Sequence, residues 1–195
     1  METPEGRRIQ DGNHCKFRCY SASQEVQYDN VYKVRQSNFA AIRNCKTQGE
    51  IVKLLLDNLP KNAGIVRWHS AGDFFSPKYF SAAIEVAKRR PDVLFYGYTK
   101  AVTYWVVKLD SIPNNLVLTA SRGGKFDHII DMWKLRSVQV VGSTYQAKKL
   151  GLPVDSDDSH AADPARRDNS FALVIHGTQP KGSAYGKIVA RNNRK

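Results

Sequence analysis

The chain has 195 residues, of which 42% are hydrophobic and 10% aromatic, and this is enough apolar side chain for one folded domain. Its 30 Lys and Arg residues outnumber 18 Asp and Glu residues and give a net charge of +12, which indicates a polyanionic partner such as nucleic acid. The composition excludes a largely disordered chain, an apolar run of about 20 residues for crossing a membrane, and a disulfide scaffold, since there are only three cysteines.

The chain divides into three predicted regions. Residues 1–30 are polar and form a loop-rich segment that contains Cys15 and Cys19. Residues 31–180 form a single α/β domain, and residues 181–195 form a basic, frayed tail. The first residues lack the apolar stretch of a secretory signal, so we expect none.

Helical patterns occur on both sides of the first predicted strand. Apolar residues at spacings of three and four predict a helix from Asn30 that Gly49 interrupts, and a second helix that ends at Pro60. A third helix is predicted from Ser76, because Ser is a favourable N-cap and Pro77 suits the first helical position.

Five short runs of β-forming residues alternate with helical patterns over most of the remaining chain. The runs are GIVRW from Gly64, VLFYGY from Val93, NLVLT from Asn115, VQVV from Val138 and FALVI from Phe171. Continuous apolar strands between helices are typical of a parallel sheet that is buried on both faces. We therefore predict an α/β fold: a partial (β/α) barrel, or an open, mainly parallel sheet of about five to six strands flanked by helices.

Polar residues follow every predicted strand, where parallel α/β sheets bind their ligands. His69 and Asp73 follow the first strand, and His176 follows the last. An imidazole and a carboxylate can carry protons, so these three residues are candidate catalytic residues. The alternative is structural: His69 bonded to backbone and Asp73 capping the next helix.

A second group of residues at the strand ends has the chemistry to bind phosphate. In the sequence SRGGK, two glycines free backbone N–H groups at a helix start, and two side chains add positive charge. The candidate phosphate or nucleic-acid ligands are Lys100, Ser121, Arg122, Gly123, Gly124, Lys125, Thr178 and Gln179. A flexible basic turn is the alternative for this short motif.

The cysteines offer a candidate metal site near the N-terminus. Cys15 and Cys19 could share a metal ion or an iron–sulfur cluster, with Cys45 as a third thiolate if the first helix folds back. Without a fourth cysteine, such a cluster would leave one iron open. Buried free thiols are the alternative.

The acidic segment that begins at Asp155 offers a different candidate site. Asp158 and His160 could hold a divalent metal ion through oxygen and nitrogen ligands. The alternative is a solvated loop that pairs locally with Arg166 and Arg167.

Six motifs, in one order over nearly the whole chain, resemble the phage gene product 88 family. They are CY at Cys19, RWHSAGDFFS from Arg67, FYGYTK from Phe95, LTASRGGK from Leu118, DDSHA from Asp157 and IHGTQPKGS from Ile175. The chain also looks like a shortened relative of radical S-adenosylmethionine barrels. The resemblance implies a phage protein in the cytoplasm of the infected host cell.

Carried over to this chain, the resemblance implies which residues belong to the family's motifs. Cys15 and Cys19 correspond to its N-terminal cysteines. The family's strand-end signature corresponds to His69, Gly72 and Asp73. Its later motifs correspond to Asp158, Ser159, His160, His176, Gly177, Thr178 and Gln179. The chain departs from the radical S-adenosylmethionine spacing Cx3Cx2C, because Ala22 stands three residues after Cys19.

Three functions remain open, and none involves a membrane. The first is a metal or iron–sulfur enzyme of the radical S-adenosylmethionine type that acts on a nucleotide or nucleic acid. The second is a non-enzymatic nucleic-acid-binding protein that uses its charge and exposed aromatics such as Tyr104 or Trp105. The third is a metal-dependent nuclease or phosphotransferase that uses Asp73, Asp158, His160 and His176.

Overall fold

The computed structural model describes residues 2–3, 6–11 and 17–192. The strands are β1 (Glu2–Thr3), β2 (Gly6–Arg7), β3 (Ile65–Trp68), β4 (Leu94–Thr99), β5 (Leu116–Ser121), β6 (Ser137–Val141) and β7 (Phe171–Val174). The α-helices are α1 (Tyr20–Gln27), α2 (Asp29–Asn44), α3 (Gln48–Asn58), α4 (Pro77–Arg89), α5 (Val102–Val107), α6 (Asp127–Met132), α7 (Thr144–Lys149), α8 (Ser159–Ala162) and α9 (Ala184–Asn192). Short 3-10 helices span Leu109–Ser111 and Pro164–Arg166.

The main sheet contains β3 to β7 side by side in chain order, and every neighbouring pair is parallel. The sheet curls into a half-barrel flanked by helices, so the predicted α/β partial barrel is confirmed. The edges of this sheet are β3 and β7. The strands β1 and β2 form a separate antiparallel pair.

The outer face of β3, β4 and β5 packs against α3 to α6 and forms the main hydrophobic core. Phe80 and Phe95 are fully buried there, and the rings of Trp68 and Phe95 stack 5.6 Å apart. A Cβ atom at Gly97 would lie 3.0 Å from the Cβ of Trp68, so only glycine lets this tryptophan lie close to β4.

The inner face of the same strands carries polar side chains, because successive residues of a strand point to opposite faces. Arg67, Tyr96 and Tyr98 lie on this side, and α8 packs over it against β4 and β5. Ala161 of α8 is completely buried, in a small cluster with Val138 and Phe171.

Helix starts follow the capping chemistry of the sequence. The Ser76 hydroxyl accepts a hydrogen bond from the backbone N–H of Tyr79 at 3.2 Å, and Pro77 is the first residue of α4, as predicted. Thr47 and Ser143 cap α3 and α7 in the same way. The turns from β3 to α4 and from β6 to α7 are therefore fixed by local hydrogen bonds.

Two predicted segments without regular structure are partly helical. The segment 1–30 contains α1, which is held to α2 by hydrogen bonds from Arg35 to the Ser21 carbonyl and the Gln24 side chain. The predicted frayed tail contains α9, whose Ile188 packs beside Gly142. Both helices depend on tertiary contacts that local sequence patterns do not reveal.

Two further boundaries differ from the prediction. The first long helix ends at Asn44, and Gly49 lies inside the first turn of α3. The acidic segment is not one extended loop, because it contains α8 and a 3-10 helix. None of the helices in the described ranges has the length and apolar character needed to cross a membrane.

Candidate functional site at the carboxyl edge of the sheet

Tyr20 joins the carboxyl ends of the two edge strands. Its hydroxyl donates a hydrogen bond to the carbonyl of Ser70, which follows β3. Its ring lies 5.7 Å from the ring of the exposed His176, which follows β7. Because one residue reaches both edges of the sheet, the strand ends surround a common mouth.

The loop after β7 holds the N-terminal segment in place. The side-chain amide of Gln179 both donates to and accepts from the backbone of Arg18, at 2.9 Å each. The Thr178 carbonyl accepts from Ser23, and Gly177 adopts a positive φ of 79° beside Tyr20. In this arrangement the polar groups of Gln179 contact protein backbone.

His69 lies at the end of β3 and beside a cleft of about 760 Å³ between α2, α3 and the loop that follows β3. Its Nε2 is 2.8 Å from the Tyr79 hydroxyl, and its buried Nδ1 has no hydrogen-bond partner among the described residues. Burial lowers the pKa of His69, and the charge of Asp73 opposes this only in part. Burial also raises the pKa of Tyr79 to about 12. The pair is therefore a neutral imidazole beside a protonated phenol.

Asp73 connects the loop after β3 to the end of β4. Its Oδ1 accepts from the Phe74 N–H and the Thr99 hydroxyl, both at 2.7 Å. Its Oδ2 accepts from the Lys100 N–H at 2.6 Å. The hydrogen bond of the His69 ring goes to Tyr79 instead, so these contacts give Asp73 a structural role at the mouth.

The backbone N–H groups of the SRGGK turn are bonded to the carboxylate of Asp127. The N–H groups of Gly123 and Gly124 donate to the two oxygens of Asp127, at 2.9 and 3.0 Å. Arg122 donates to Asp131 at 2.6 Å and to Ser137 at 3.0 Å. Phosphate binding at this turn stays a prediction, and it would require Asp127 to be displaced.

The two lysines beside this turn differ in their contacts. The Nζ of Lys100 donates to the carbonyl and the hydroxyl of Ser121 and to the Arg122 carbonyl, at 2.8–3.0 Å. Lys125 is exposed, and its Nζ lies 5.5 Å from the ring centre of Phe126. Of the predicted ligands, Lys100 contacts Ser121 and Arg122. The glycines contact Asp127 instead, and Gln179 contacts the backbone of Arg18.

The cysteines are divided between different places. Cys15 lies outside the described residues, and Cys19 is exposed directly before α1. Cys45 directly follows α2, with its Sγ 3.4 Å from the Ala41 carbonyl. Across the described ranges no three His, Cys, Asp or Glu side chains gather into a group that could hold a metal ion. A cluster on these cysteines stays a prediction.

Asp158 and His160 also point to different partners. Asp158 accepts hydrogen bonds from the inner face of the sheet, while the Nδ1 of His160 lies 3.7 Å from the buried Asp155. Arg166 pairs with Asp163 at 3.5 Å, so local pairing in this segment does not include Asp158.

The polar groups on the inner face of the sheet were not predicted from the sequence. Arg136 is buried, and its guanidinium donates to the Thr119 hydroxyl and to the carbonyls of His160 and Ala161. Burial lowers the pKa of Arg136 to about 10. The alternation in FYGY was the available signal for this face, since it places Tyr96 and Tyr98 on the same side of β4.

The basic helix α9, which packs at the carboxyl end of β6, was not predicted from the sequence either. Asn192 donates to the Gly142 carbonyl at 3.0 Å, and the Ile188 side chain lies over Gly142. Three side chains of α9 and of the neighbouring start of α7 are exposed, and we call them the α9 patch: Tyr145, Lys187 and Arg191.

The α9 patch differs from the aromatics that the sequence suggested. Tyr145 is 71% exposed, whereas Trp105 is 8% exposed and Tyr104 is packed against the core. The stacking role expected of Trp105 is therefore wrong. Neither Lys187 nor Arg191 has a carboxylate partner within the part of the chain that the structure describes.

The comparisons with known proteins give one match. The family model described as Gene product 88 matches residues 7–194, which include the whole five-stranded sheet, every helix from α1 to α9 and all three residues of the α9 patch. Neither the curated proteins nor the solved structures contain a match to this chain.

Proposed function

The chain belongs to the Gene product 88 family, and we propose that it binds single-stranded nucleic acid through the α9 patch. The observation that supports this proposal is that α9, which carries the exposed Lys187 and Arg191, packs through Ile188 and Asn192 on Gly142, three residues before the 71% exposed Tyr145. Among the described residues neither cation has a carboxylate partner. Cations that neutralise phosphates release counterions, and an exposed aromatic ring stacks on unpaired bases. The net charge of +12 adds a long-range attraction for the same ligand.

The charges of the patch can be tested with two double variants. Lys187→Ala/Arg191→Ala removes the cations of the α9 patch, while Lys61→Ala/Lys88→Ala removes two exposed lysines at the opposite, amino edge of the sheet. We expect the first variant to bind a fluorescent single-stranded oligonucleotide with a 5′-hydroxyl end at least about tenfold more weakly in anisotropy titrations. The second should bind nearly as the wild type. Equal losses in both, or no binding by the wild type at low salt, would contradict the proposal.

The aromatic part of the patch has its own test. Tyr145→Ala should weaken binding by about 1–3 kcal/mol, which is the usual contribution of one stacked base. Tyr145→Phe should retain most of the affinity, because the ring is kept. Tyr28→Ala is the matched control, since Tyr28 is 51% exposed and lies between α1 and α2. Similar losses from both alanine variants would argue against stacking.

A metal or iron–sulfur enzyme with a radical S-adenosylmethionine type of barrel is a second candidate. The exposed Cys19 directly precedes Tyr20, which contacts the ends of both edge strands, and this position at the mouth supports it. Anaerobic purification with iron analysis and a visible spectrum tests it. Cys19→Ser should remove bound iron, and Cys45→Ser distinguishes a ligand from a bystander. A colourless, iron-free wild-type protein would contradict this candidate.

A further inference from the structure

Three hydrogen-bond donors on the inner face of the sheet converge on one carboxylate. The Nη1 of Arg67 donates to Asp158 Oδ2 at 2.7 Å, and the Tyr96 hydroxyl donates to the same oxygen at 3.1 Å. The Tyr98 hydroxyl donates to Oδ1 at 2.8 Å. We call these donors the Arg67–Tyr96–Tyr98 triad.

The sheet itself fixes the positions of the three donors. Arg67 and Tyr96 are register partners in β3 and β4, and Tyr98 stands two residues further along the same face. The guanidinium of Arg67 also lies 5.1 Å from the ring centre of Tyr98. Burial and the charge of Asp158 raise the pKa values of both tyrosines, so both hydroxyls remain donors at neutral pH.

Asp158 reaches the triad from a separate segment. It directly precedes α8, has a positive φ of 62°, and its side chain is 27% exposed. The helix is anchored without it, because Ala161 is completely buried and Arg136 donates to the carbonyls of His160 and Ala161. The carboxylate can therefore leave the triad while α8 stays on the sheet.

We propose that the Arg67–Tyr96–Tyr98 triad is a binding site for a phosphate monoester and that Asp158 occupies it as an internal competitor. A phosphate group can accept hydrogen bonds from one guanidinium and two hydroxyl groups through several of its oxygens, as the carboxylate of Asp158 does through two. The site lies on the inner face of β3 and β4 and is separate from the α9 patch. It deepens the proposed function only in that nucleotides and 5′-phosphorylated strands would supply the phosphate.

Replacing the competitor tests the proposal. Asp158→Gly removes the carboxylate and suits the positive φ at this position. Isothermal titration with inorganic phosphate and with adenosine monophosphate should show at least about tenfold tighter binding than the wild type, because apparent affinity scales with the fraction of open site. Adding Arg67→Ala should abolish this gain. Asp163→Gly is the control, since it removes a carboxylate that pairs with Arg166 in the same segment.

The results of these titrations test the phosphate site independently of the α9 patch. A folded Asp158→Gly variant that binds phosphate no better than the wild type would overturn it, as would the same gain in Asp163→Gly. If circular dichroism shows that Asp158→Gly is unfolded, Asp158→Asn provides the same comparison, since asparagine tolerates a positive φ. A 5′-phosphorylated oligonucleotide should gain affinity from the variant, whereas the 5′-hydroxyl strand should not.

Discussion

The carboxylate of Asp73 accepts three hydrogen bonds, from the N–H groups of Phe74 and Lys100 and from the Thr99 hydroxyl. Thr99 is 1% exposed, so removing the carboxylate leaves a buried hydroxyl without its acceptor. We expect Asp73→Ala to lower the free energy of unfolding by about 2–4 kcal/mol, measured by chemical denaturation. The control is Asp110→Ala, because Asp110 is exposed in a 3-10 helix. A fully stable Asp73→Ala variant would contradict the structural role of this carboxylate.

His69 gives stability a dependence on pH whose sign follows from its environment. Its pKa is lowered by burial, so the unfolded chain binds more protons than the folded chain below about pH 6.5. The contribution of the neutral ring is complete above that pH and is lost as the pH falls through the lowered pKa.

A substitution isolates this contribution. His69→Asn suits the positive φ of 57° and removes the titrating group. Between about pH 7.5 and 5.5, we expect the free energy of unfolding to fall less in His69→Asn than in the wild type. His128→Gln, a substitution at an exposed histidine, should keep the wild-type slope. A steeper fall in His69→Asn would contradict the assigned sign.

At the scale of elements, the N-terminal segment closes the mouth by contact with the loop after β7. A Cβ atom at Gly177 would lie 3.1 Å from the Cβ of Tyr20, and the residue has a φ of 79°. Gly151 has a similar φ of 67°, but no atom lies within 4 Å of its Cβ position. Comparing substitutions at the two glycines therefore separates the cost of backbone strain from the cost of the contact with Tyr20.

Gly151→Ala should lower the free energy of unfolding by about 1–2 kcal/mol, because a left-handed conformation disfavours a side chain. Gly177→Ala should cost about 1 kcal/mol more, because its methyl group also pushes against Tyr20. Chemical denaturation measures both differences. In addition, hydrogen exchange in α1 should rise in Gly177→Ala alone. If both variants lose the same free energy of unfolding and hydrogen exchange in α1 does not change, the contact between Gly177 and Tyr20 contributes nothing to stability.

The elements that local patterns predicted well are the five strands and α4. Their β-rich runs, and the cap at Ser76, carry strong local signals. The helices α1 and α9 are short, with eight and nine residues, and they form where Arg35 and Ile188 contact other elements. The parallel order of the strands was predicted correctly, and it brings the strand ends to one edge of the sheet; a functional site at that edge stays a prediction. The contacts of the strand-end residues were not predictable. Local sequence does not indicate that Asp127 accepts from Gly123 and Gly124, or that Tyr20 donates to the Ser70 carbonyl.

At the scale of the whole molecule, some cationic side chains are paired with carboxylates and others are exposed to solvent. The acidic residues Asp29, Asp92 and Asp131 are held in ion pairs with arginines, and these pairs lower the pKa of each carboxyl. Internal pairing of acids leaves the surplus cations available to a polyanion. Location then decides which cations contact a ligand, and total charge decides how strongly it is attracted from a distance.

Salt dependence separates these two contributions. For single strands, the logarithm of the binding constant falls with the logarithm of salt concentration, with a slope of about −0.7 for each phosphate that is neutralised. Lys187→Ala/Arg191→Ala should therefore reduce the magnitude of the slope by about 1.4 if both cations contact phosphates. Lys61→Ala/Lys88→Ala lowers the net charge equally and should leave the slope unchanged. If both variants reduce the slope by the same amount, the attraction is a property of total charge and the α9 patch has no special role.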